Sequence, residues 1–201
     1  MGAKKSRDES SLMEGAHKYF VQNVLPHNVQ ARLHSVSRPT SLFQNREETF
    51  LLVRSGSGSL VVNGLEYKLR PDTLAMLGPF HSYRLVPDLG KTLDLYYAQI
   101  NCETYVYMIA NPYYRQRKMI VPSEPAVAQL SGLFAEIARQ SMEGLLEECR
   151  QDQPDKFNIC ICYMNDLFGI IVEEMRKKHS KRKKRAQTPG NKPAESTPAA
   201  E

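Results

Sequence analysis

The clearest regularity along the chain is an alternation of apolar and polar residues with a period of two. Between Val29 and His34 every second residue is apolar, and the residues between are glutamine, arginine and histidine. Because successive side chains of a strand point to opposite faces, this pattern predicts a half-buried strand. Similar short apolar runs follow, and they predict strands at 49–54, 59–62, 65–69, 73–77, 82–86 and 92–100.

The segments between these runs carry residues that favour tight turns. Gly56 and Gly58 can adopt a positive φ, and Asn63-Gly64 between two apolar runs is a strong hairpin signal. Further turn-forming pairs stand at 71–72, 78–79 and 88–90. Short strands at regular spacing, joined by such turns, predict an antiparallel barrel or sandwich over residues 29–101.

Beyond residue 101 the apolar period becomes that of a helix. Pro125 is placed to start a helix that runs to about Cys149. Four apolar residues share one face of the predicted helical segment: Leu130, Leu133, Phe134 and Ile137. A second amphipathic helix is predicted from about Asp155 to Lys178. The two helices would form an antiparallel hairpin, and their apolar faces need burial on the barrel or on another subunit, so we expect a dimerisation region at 102–178.

The two ends of the chain differ from its body. Residues 1–28 predict an N-terminal arm with a short helix, and residues 179–201 predict a basic, disordered tail. The formal net charge is +5, and residues 176–201 hold nine Lys and Arg against two Asp and Glu, so the body is close to neutral. The run Arg176–Arg185 has three interpretations: a solvated linker, a contact for phosphate backbones, or a nuclear-import signal, for which nothing in the chain indicates a suitable host.

The cysteines and the absence of a long apolar run bear on the compartment. Cysteines 102, 149, 160 and 162 lack the paired spacing of a zinc site, and we interpret them as small apolar residues in a reducing compartment. No apolar run approaches the ~18 residues that cross a bilayer, and the N-terminus lacks the core of a signal peptide. We therefore expect a cytoplasmic protein without membrane contact.

The stretch FLLVRSGSGSLVVNGLEYKLRPDTLAMLGPFHSYRL, residues 50–85, resembles the sensor domain of AraC-type transcription regulators. The shared pattern is a Ser-Gly-x-Gly bend, an Asn-Gly turn, an Arg-Pro-Asp turn, and a Gly-Pro turn followed by His81. The resemblance implies a mainly β fold, a cupin-like jelly-roll barrel followed by helices. It also implies a homodimer, with a small-molecule effector in the barrel under the N-terminal arm. The family's helix-turn-helix domain is missing from these residues, so we expect a sensor-domain fragment that reaches DNA only through that domain.

Catalytic cupins resemble one another in a metal-binding set: His-x-His and Glu before the first glycine bend, and a further His after the Gly-Pro turn. In this chain Phe43 and Asn45 stand at the two histidine positions, and Glu47 or Glu48 is the nearby carboxylate. His81 is the one histidine left, which is too few ligands for a first-row metal, so we predict no metal and no cofactor. His81 then has two interpretations, a hydrogen bond within its turn or a contact with a ligand.

Seven side chains are candidates for contact with the effector: His81, Tyr83, Arg54, Arg84, Tyr97, Gln99 and Met76. The tyrosines and the methionine would supply an apolar wall, and the arginines and the glutamine would supply polar anchors if their strands face inward. Two arginines would suit a sugar or a small acid, although they can equally point to solvent. The pattern leaves open which strand faces line the barrel.

These observations favour an effector-sensing and dimerisation domain of a transcription regulator, with no enzymatic activity. The face formed by Leu130, Leu133, Phe134 and Ile137 is its candidate dimer interface. Two alternatives remain. One is a stand-alone cupin-type enzyme, such as a sugar isomerase or epimerase, and the other is a metal-free small-molecule-binding protein.

Overall fold

The computed structural model describes residues 29–44, 47–78, 81–101, 125–151 and 156–187, with side chains described as far as residue 180. Within these ranges the strands are β1 Val29–Val36, β2 Phe43–Gln44, β3 Glu48–Ser55, β4 Gly58–Val62, β5 Leu65–Leu69, β6 Thr73–Leu77, β7 Ser82–Pro87, β8 Leu93–Ile100 and β9 Ala126–Gln129. The helices are α1 Leu133–Arg150 and α2 Lys156–Gln187. The predicted arm, residues 1–28, lies outside the described residues, as does Asn45.

The strands form two antiparallel sheets. One has five strands in the order β1-β8-β3-β6-β9, and the other has four in the order β2-β7-β4-β5. The predicted strands are all present, and the chain has the predicted class: mainly antiparallel β in a jelly-roll-like arrangement, followed by two helices. β1, which the alternation predicted, lies at the edge of the larger sheet and pairs with β8 alone.

The five-stranded sheet is buried on both faces. Leu51 and Val53 of β3 belong to the core between the two sheets. Phe50 and Leu52 of the same strand belong to a second core, in which the sheet packs against the helices. A strand that is buried on both faces has a continuous apolar run, and this is why the sequence could not show which face lines the barrel.

Four of the turn predictions are confirmed, those at Gly56, at Asn63-Gly64, at 71–72 and at 88–90, and the one at Gly58 needs correction. Asn63 and Gly64 both have positive φ between β4 and β5, and Gly56 has a φ of 84°. Gly58 is not a positive-φ residue; it begins β4, where a Cβ atom would collide with the carbonyl oxygen of Val86. This glycine is therefore required by the close approach of β7 rather than by its own backbone conformation.

The prediction that a helix starts at Pro125 is wrong. Residues 126–129 form β9, which pairs with β6 and so extends the larger sheet by one strand. Gly132, with a φ of 56°, separates the strand from α1. Leu130 is only 4% exposed and its backbone N–H donates to the carbonyl oxygen of Asp72, 3.0 Å away. Leu130 is thus a core residue of the chain and not part of a surface for a second subunit.

The helices form an antiparallel hairpin, as predicted. Ser141 near the middle of α1 donates to Asp166 of α2 at 3.3 Å, and Lys177 near the end of α2 lies over the ring of Phe134 at the start of α1. Phe134 and Ile137 are half-buried against the core, and Leu133 is 70% exposed. Of the four residues predicted at a dimer interface, Leu133 is the one that is clearly open to solvent.

Helix α2 continues nine residues beyond the predicted end at Lys178. Residues 179–187, assigned to a disordered tail from their charge, are helical. Lysine and arginine are good helix formers, and ion pairs such as Lys177 with Glu174, at 2.7 Å, support the preceding turn. Neither helix in the described ranges has the apolar stretch that a membrane span needs.

Candidate ligand site at the free edge of the barrel

The space between the two sheets, where an effector was expected, is filled by a cluster of buried side chains. Tyr83 is part of this cluster, and its ring packs against Phe43 with the ring centres 5.6 Å apart. The hydroxyl groups of Tyr83 and Tyr97 lie 3.1 Å apart, in hydrogen-bonding distance. Tyr83 is therefore a core residue, one layer behind Tyr97.

A cavity of about 190 Å³ lies instead at the free edge of β1. Its lining residues are Val29, Gln30, Ala31, Arg32, Tyr97, Gln99, Cys149 and Lys156. Because β1 is an edge strand, the cavity meets both of its faces: Arg32 and Tyr97 border it on the barrel side, and Cys149 and Lys156 border it where the helices join. Its volume is below the ~300 Å³ at which pockets for drug-sized ligands begin, so it suits a small molecule.

The described lining of this cavity contains two cationic side chains and no carboxylate. The guanidinium carbon of Arg32 lies 4.4 Å from the centre of the Tyr97 ring, so the cation is held on an aromatic face. Lys156 donates to the carbonyl oxygen of Cys149 at 3.2 Å, which anchors its ammonium group beside the cavity. Two fixed cations without an opposing carboxylate favour an anionic ligand.

His34 lies beside Arg32 and Tyr97 and adds no positive charge to the cavity. It stands two residues after Arg32 on β1, with its ring centre 6.3 Å from that of Tyr97. Burial, and then the charge of Arg32, hold the pKa of His34 below its ordinary value. A neutral imidazole leaves Arg32 and Lys156 as the charged groups of the described lining.

Two of the seven predicted ligand contacts line the cavity. Tyr97 supplies the aromatic platform, and Gln99, which is 7% exposed, supplies an amide. Both face the barrel side of β8, where they are paired in register with Arg32 and Gln30 of β1. Tyr97 and Gln99 thus line a cavity at the edge of β1 rather than the barrel interior, and their contact with an effector stays a prediction.

The other predicted polar anchors do not reach this site. Arg54 and Arg84 are exposed on the outside of their sheets, so the prediction that they anchor a ligand within the barrel is wrong. Their neighbours Val53 and Leu85 take the inward positions, because alternate side chains of a strand point to opposite faces. Met76 also points away from the barrel interior and packs in the core beneath the helices.

His81 stabilises the turn that precedes β7. Its Nδ1 atom accepts a hydrogen bond from the backbone N–H of Gly78 at 2.9 Å, and its own backbone N–H donates to the carbonyl oxygen of Gly78 at 3.1 Å. The side chain is 6% exposed. These are the hydrogen bonds within the turn that were one of the two interpretations of His81, and His81 is not among the residues that line the cavity.

Glu48 is a buried carboxyl group on β3. It is 8% exposed, its two oxygens come close to where a Cβ of Gly78 would stand, and no hydrogen bond is made by its Oε2 atom to the described part of the chain. Burial raises the pKa of Glu48 to about 7. Among the described residues, Glu48 included, no three His, Cys, Asp or Glu side chains lie close enough together to hold a metal ion.

The sequence interpretation missed six cavity residues, and four of them have polar or sulfur-containing side chains: Gln30, Arg32, Cys149 and Lys156. The signal for the first two was present, because the alternation along β1 marks them as the polar side of a strand. Lys156 lies at the start of the predicted second helix, and nothing in its local sequence indicates that it lies near β1. The cysteine was read as a small apolar residue, since nothing in the local sequence indicates that the end of α1 meets the edge of β1.

Comparisons with known proteins give similarity at the level of the fold. No family model and no curated protein matches the sequence. Apo ToxT K231A from Vibrio cholerae strain SCE256 is 8% identical, with a TM-score of 0.54 over 75% of this chain and 58% of that one. ToxT bound to (E)-4-(8-methylnaphthalen-1-yl)but-3-enoic acid is 10% identical, with a TM-score of 0.50 over the same shares of the two chains.

A cupin protein from Bacteroides fragilis is 12% identical, with a TM-score of 0.33 over 38% of this chain and 68% of that one. The present chain thus spans little more than half the length of ToxT. The similarity to ToxT extends over three quarters of the residues of this chain and is a similarity of fold.

Proposed function

We propose that this chain is the effector-binding and dimerisation part of an AraC-type transcription regulator, and that its effector is a small organic acid bound at the free edge of β1. The observation that carries the proposal is the presence of two cationic residues, Arg32 and Lys156, in a cavity whose described lining has no carboxylate. The barrel itself acts as a rigid cupin-like scaffold, because its interior is filled by side chains.

The chemistry of the lining supports an acid over a neutral sugar. A guanidinium presents paired N–H groups that match the two oxygens of a carboxylate, and an ammonium adds a second charge-assisted hydrogen bond. Tyr97 offers an apolar face for the carbon skeleton of the acid, and Gln99 offers an amide for a further oxygen. A sugar would leave the two cations without a counter-charge.

The similarity to ToxT supports the same class of function. ToxT is an AraC-family regulator, and one of its structures contains a carboxylic acid with an aromatic ring system. The shared fold covers 75% of this chain. On this proposal the protein acts in the cytoplasm, without a metal or cofactor and without catalysing a reaction. It reaches DNA through a helix-turn-helix domain outside these 201 residues.

A homodimer is part of the proposal. The exposed part of the predicted interface is Leu133 at the start of α1, 70% exposed, next to the half-buried Phe134 and Ile137. An apolar side chain at this exposure on the outside of a helical hairpin suits a contact with a second copy of α1. This contact joins two sensor domains and leaves the cavity at β1 accessible.

The experiment is a thermal-shift screen with pairs of ligands, each pair a small carboxylic acid and its primary amide. An acid at 100 times its Kd adds about 2.7 kcal/mol to the native state and raises Tm, whereas the matched amide gives little shift. The shift should disappear in Arg32→Gln and in Lys156→Gln. Lys91→Gln, a lysine in the turn before β8, is the control and should respond like the natural protein. Equal shifts with acids and amides would contradict the proposal.

A further inference from the structure

Two cysteines meet where the helical hairpin turns. Cys149 is the second-last residue of α1, and Cys160 lies in the second turn of α2. Cys149 packs against the core cluster that contains Cys160, and the two thiols influence each other directly. Cys160 is 1% exposed, whereas Cys149 is half-buried and forms part of the cavity wall at β1. A small molecule in the cavity can therefore reach Cys149, and Cys160 lies in the buried core against which Cys149 packs.

The surroundings of Cys149 hold its sulfur against the edge of β1 and lower its pKa. Its thiol donates a long hydrogen bond to the carbonyl oxygen of Val29, 3.8 Å away. The hydrogen bond from Cys160 comes first among the causes that lower the pKa of Cys149, and the Ala31 N–H and the charge of Lys156 add to it. Burial and the carboxylate of Glu148 act in the opposite direction.

We propose that Cys149 and Cys160 form a site that reacts with hydroperoxides and closes to an intrachain disulfide. The Cys149 thiolate attacks one peroxide oxygen: the S–O bond forms, the O–O bond breaks, and the departing hydroxide takes a proton from solvent. The Cys160 thiol then attacks the oxidised sulfur: the S–S bond forms, the S–O bond breaks, and the Cys160 proton leaves with the hydroxyl as water. Two electrons pass from the two sulfurs to the peroxide, so one hydrogen peroxide becomes two waters.

The two thiols have different roles because their surroundings differ. The hydrogen bond to Cys149, burial, and the charge of the neighbouring thiolate raise the pKa of Cys160, which makes it a poor first nucleophile. Once Cys149 is oxidised its thiolate charge is gone, and Cys160 can attack. The disulfide would join the end of α1 to the beginning of α2. This chemistry does not depend on whether the cavity binds an acid.

The chain offers a matched control in Cys162. It stands two residues after Cys160 on the same helix, is exposed, and is not part of the described cavity wall. Exposure alone would favour Cys162 as the first thiol to react with peroxide. The environment of Cys149 favours Cys149, so the order of reaction distinguishes the proposal from simple accessibility.

The test treats the reduced full-length chain with hydrogen peroxide, then alkylates the remaining thiols and maps the peptides by mass. The expected product has a peptide pair joined through residues 149 and 160, lighter by two hydrogens. In Cys160→Ser the reaction should stop at a sulfenic acid on Cys149, trapped by dimedone. Cys149→Ser should lose thiols about tenfold more slowly, since the low-pKa thiolate is gone. Cys162→Ser should behave like the natural chain.

Three outcomes would overturn the proposal. One is a principal disulfide that joins a different pair of cysteines. Another is dimedone labelling of Cys162 ahead of Cys149 in the natural sequence, a measurement that needs no variant. The third is peroxide-dependent thiol loss in Cys149→Ser at the natural rate.

Discussion

The guanidinium of Arg32 rests on the ring of Tyr97, 4.4 Å from its centre, and the hydroxyl of that ring pairs with the hydroxyl of Tyr83 at 3.1 Å. These two contacts connect the mouth of the cavity with the core between the sheets, because Tyr83 is almost fully buried. A long arginine side chain at a strand edge is otherwise free to sample many rotamers. Its position over an aromatic face reduces that freedom and prepares the cation for an acid.

The hydroxyl pair contributes to stability as a unit. Tyr97→Phe should lower the free energy of unfolding by about 1 kcal/mol, the usual net value of a buried hydrogen bond, and Tyr83→Phe should act similarly. The double variant should cost less than the sum of the two, because each single change already breaks the same bond. Urea unfolding of the four proteins measures this coupling, and additive losses would show that the two hydroxyls do not act together.

The close packing of the two helices depends on Gly144. A Cβ atom at this position would collide with the ring of Tyr163 on α2, whereas a Cβ at Gly169 meets nothing within 4 Å. Alanine in a helix interior is favoured over glycine by about 1 kcal/mol, so Gly169→Ala should raise Tm. Gly144→Ala should lower Tm despite the same gain in propensity. If both variants are stabilised, the helices are not packed as described.

Glu48 makes stability depend on pH. Its pKa rises from 4.5 to about 7 on folding because the carboxyl group is buried, so the native state binds its proton more tightly than the unfolded chain does. The contribution of Glu48 to the free energy of unfolding is fully present below pH 4.5. It is lost as the pH rises to about 7, and above that pH the free energy of unfolding no longer changes because of this group. The loss is at most about 3 kcal/mol.

Glu48→Gln should remove this decline, because an amide does not titrate. The control is Glu147→Gln, since that carboxylate is exposed on α1. The measurement is the urea midpoint of unfolding between pH 4.5 and 8. A decline that is the same in Glu48→Gln as in the natural chain would place its origin in other groups.

The dimer contact can be tested at the one clearly exposed apolar residue of the predicted face. Leu133→Glu should convert dimers to monomers in sedimentation velocity, because a buried pair of like charges at a two-fold contact is strongly unfavourable. Leu65→Glu is the control, since Leu65 is 50% exposed on the smaller sheet, far along the chain from α1. Monomers in the natural protein, or dimers in Leu133→Glu, would rule out this contact.

The sequence was sufficient to predict most of the sheet structure. Strong local signals, such as the Asn63-Gly64 turn and the alternation along β1, depend on the backbone of a few residues and need no tertiary context. β9 was missed because Pro125 followed by apolar residues fits a helix start as well as a strand. Its pairing with β6, about fifty residues earlier in the chain, decides between the two.

The functional site was less predictable than the fold. Tyr97 and Gln99 line the cavity, and the sequence pointed to them as an aromatic and a polar residue on one side of a strand. Arg54 and Arg84 lie on the opposite face of their strands from the one that the prediction needed. Lys156 and Cys149 reach the cavity only through the docking of the helical hairpin on the edge of β1. A contact of this kind joins residues that are distant in sequence, and no local period carries information about it.

The most direct measurement is the affinity of a small carboxylic acid from the screen for the natural chain and for Arg32→Gln, by isothermal titration calorimetry. We expect Arg32→Gln to weaken binding by at least about tenfold, since a charge-assisted hydrogen bond contributes about 1.5–3 kcal/mol. The affinity of the Lys91→Gln control should be unchanged. Equal affinity in Arg32→Gln and the natural chain would contradict the claim that the edge of β1 is the effector site.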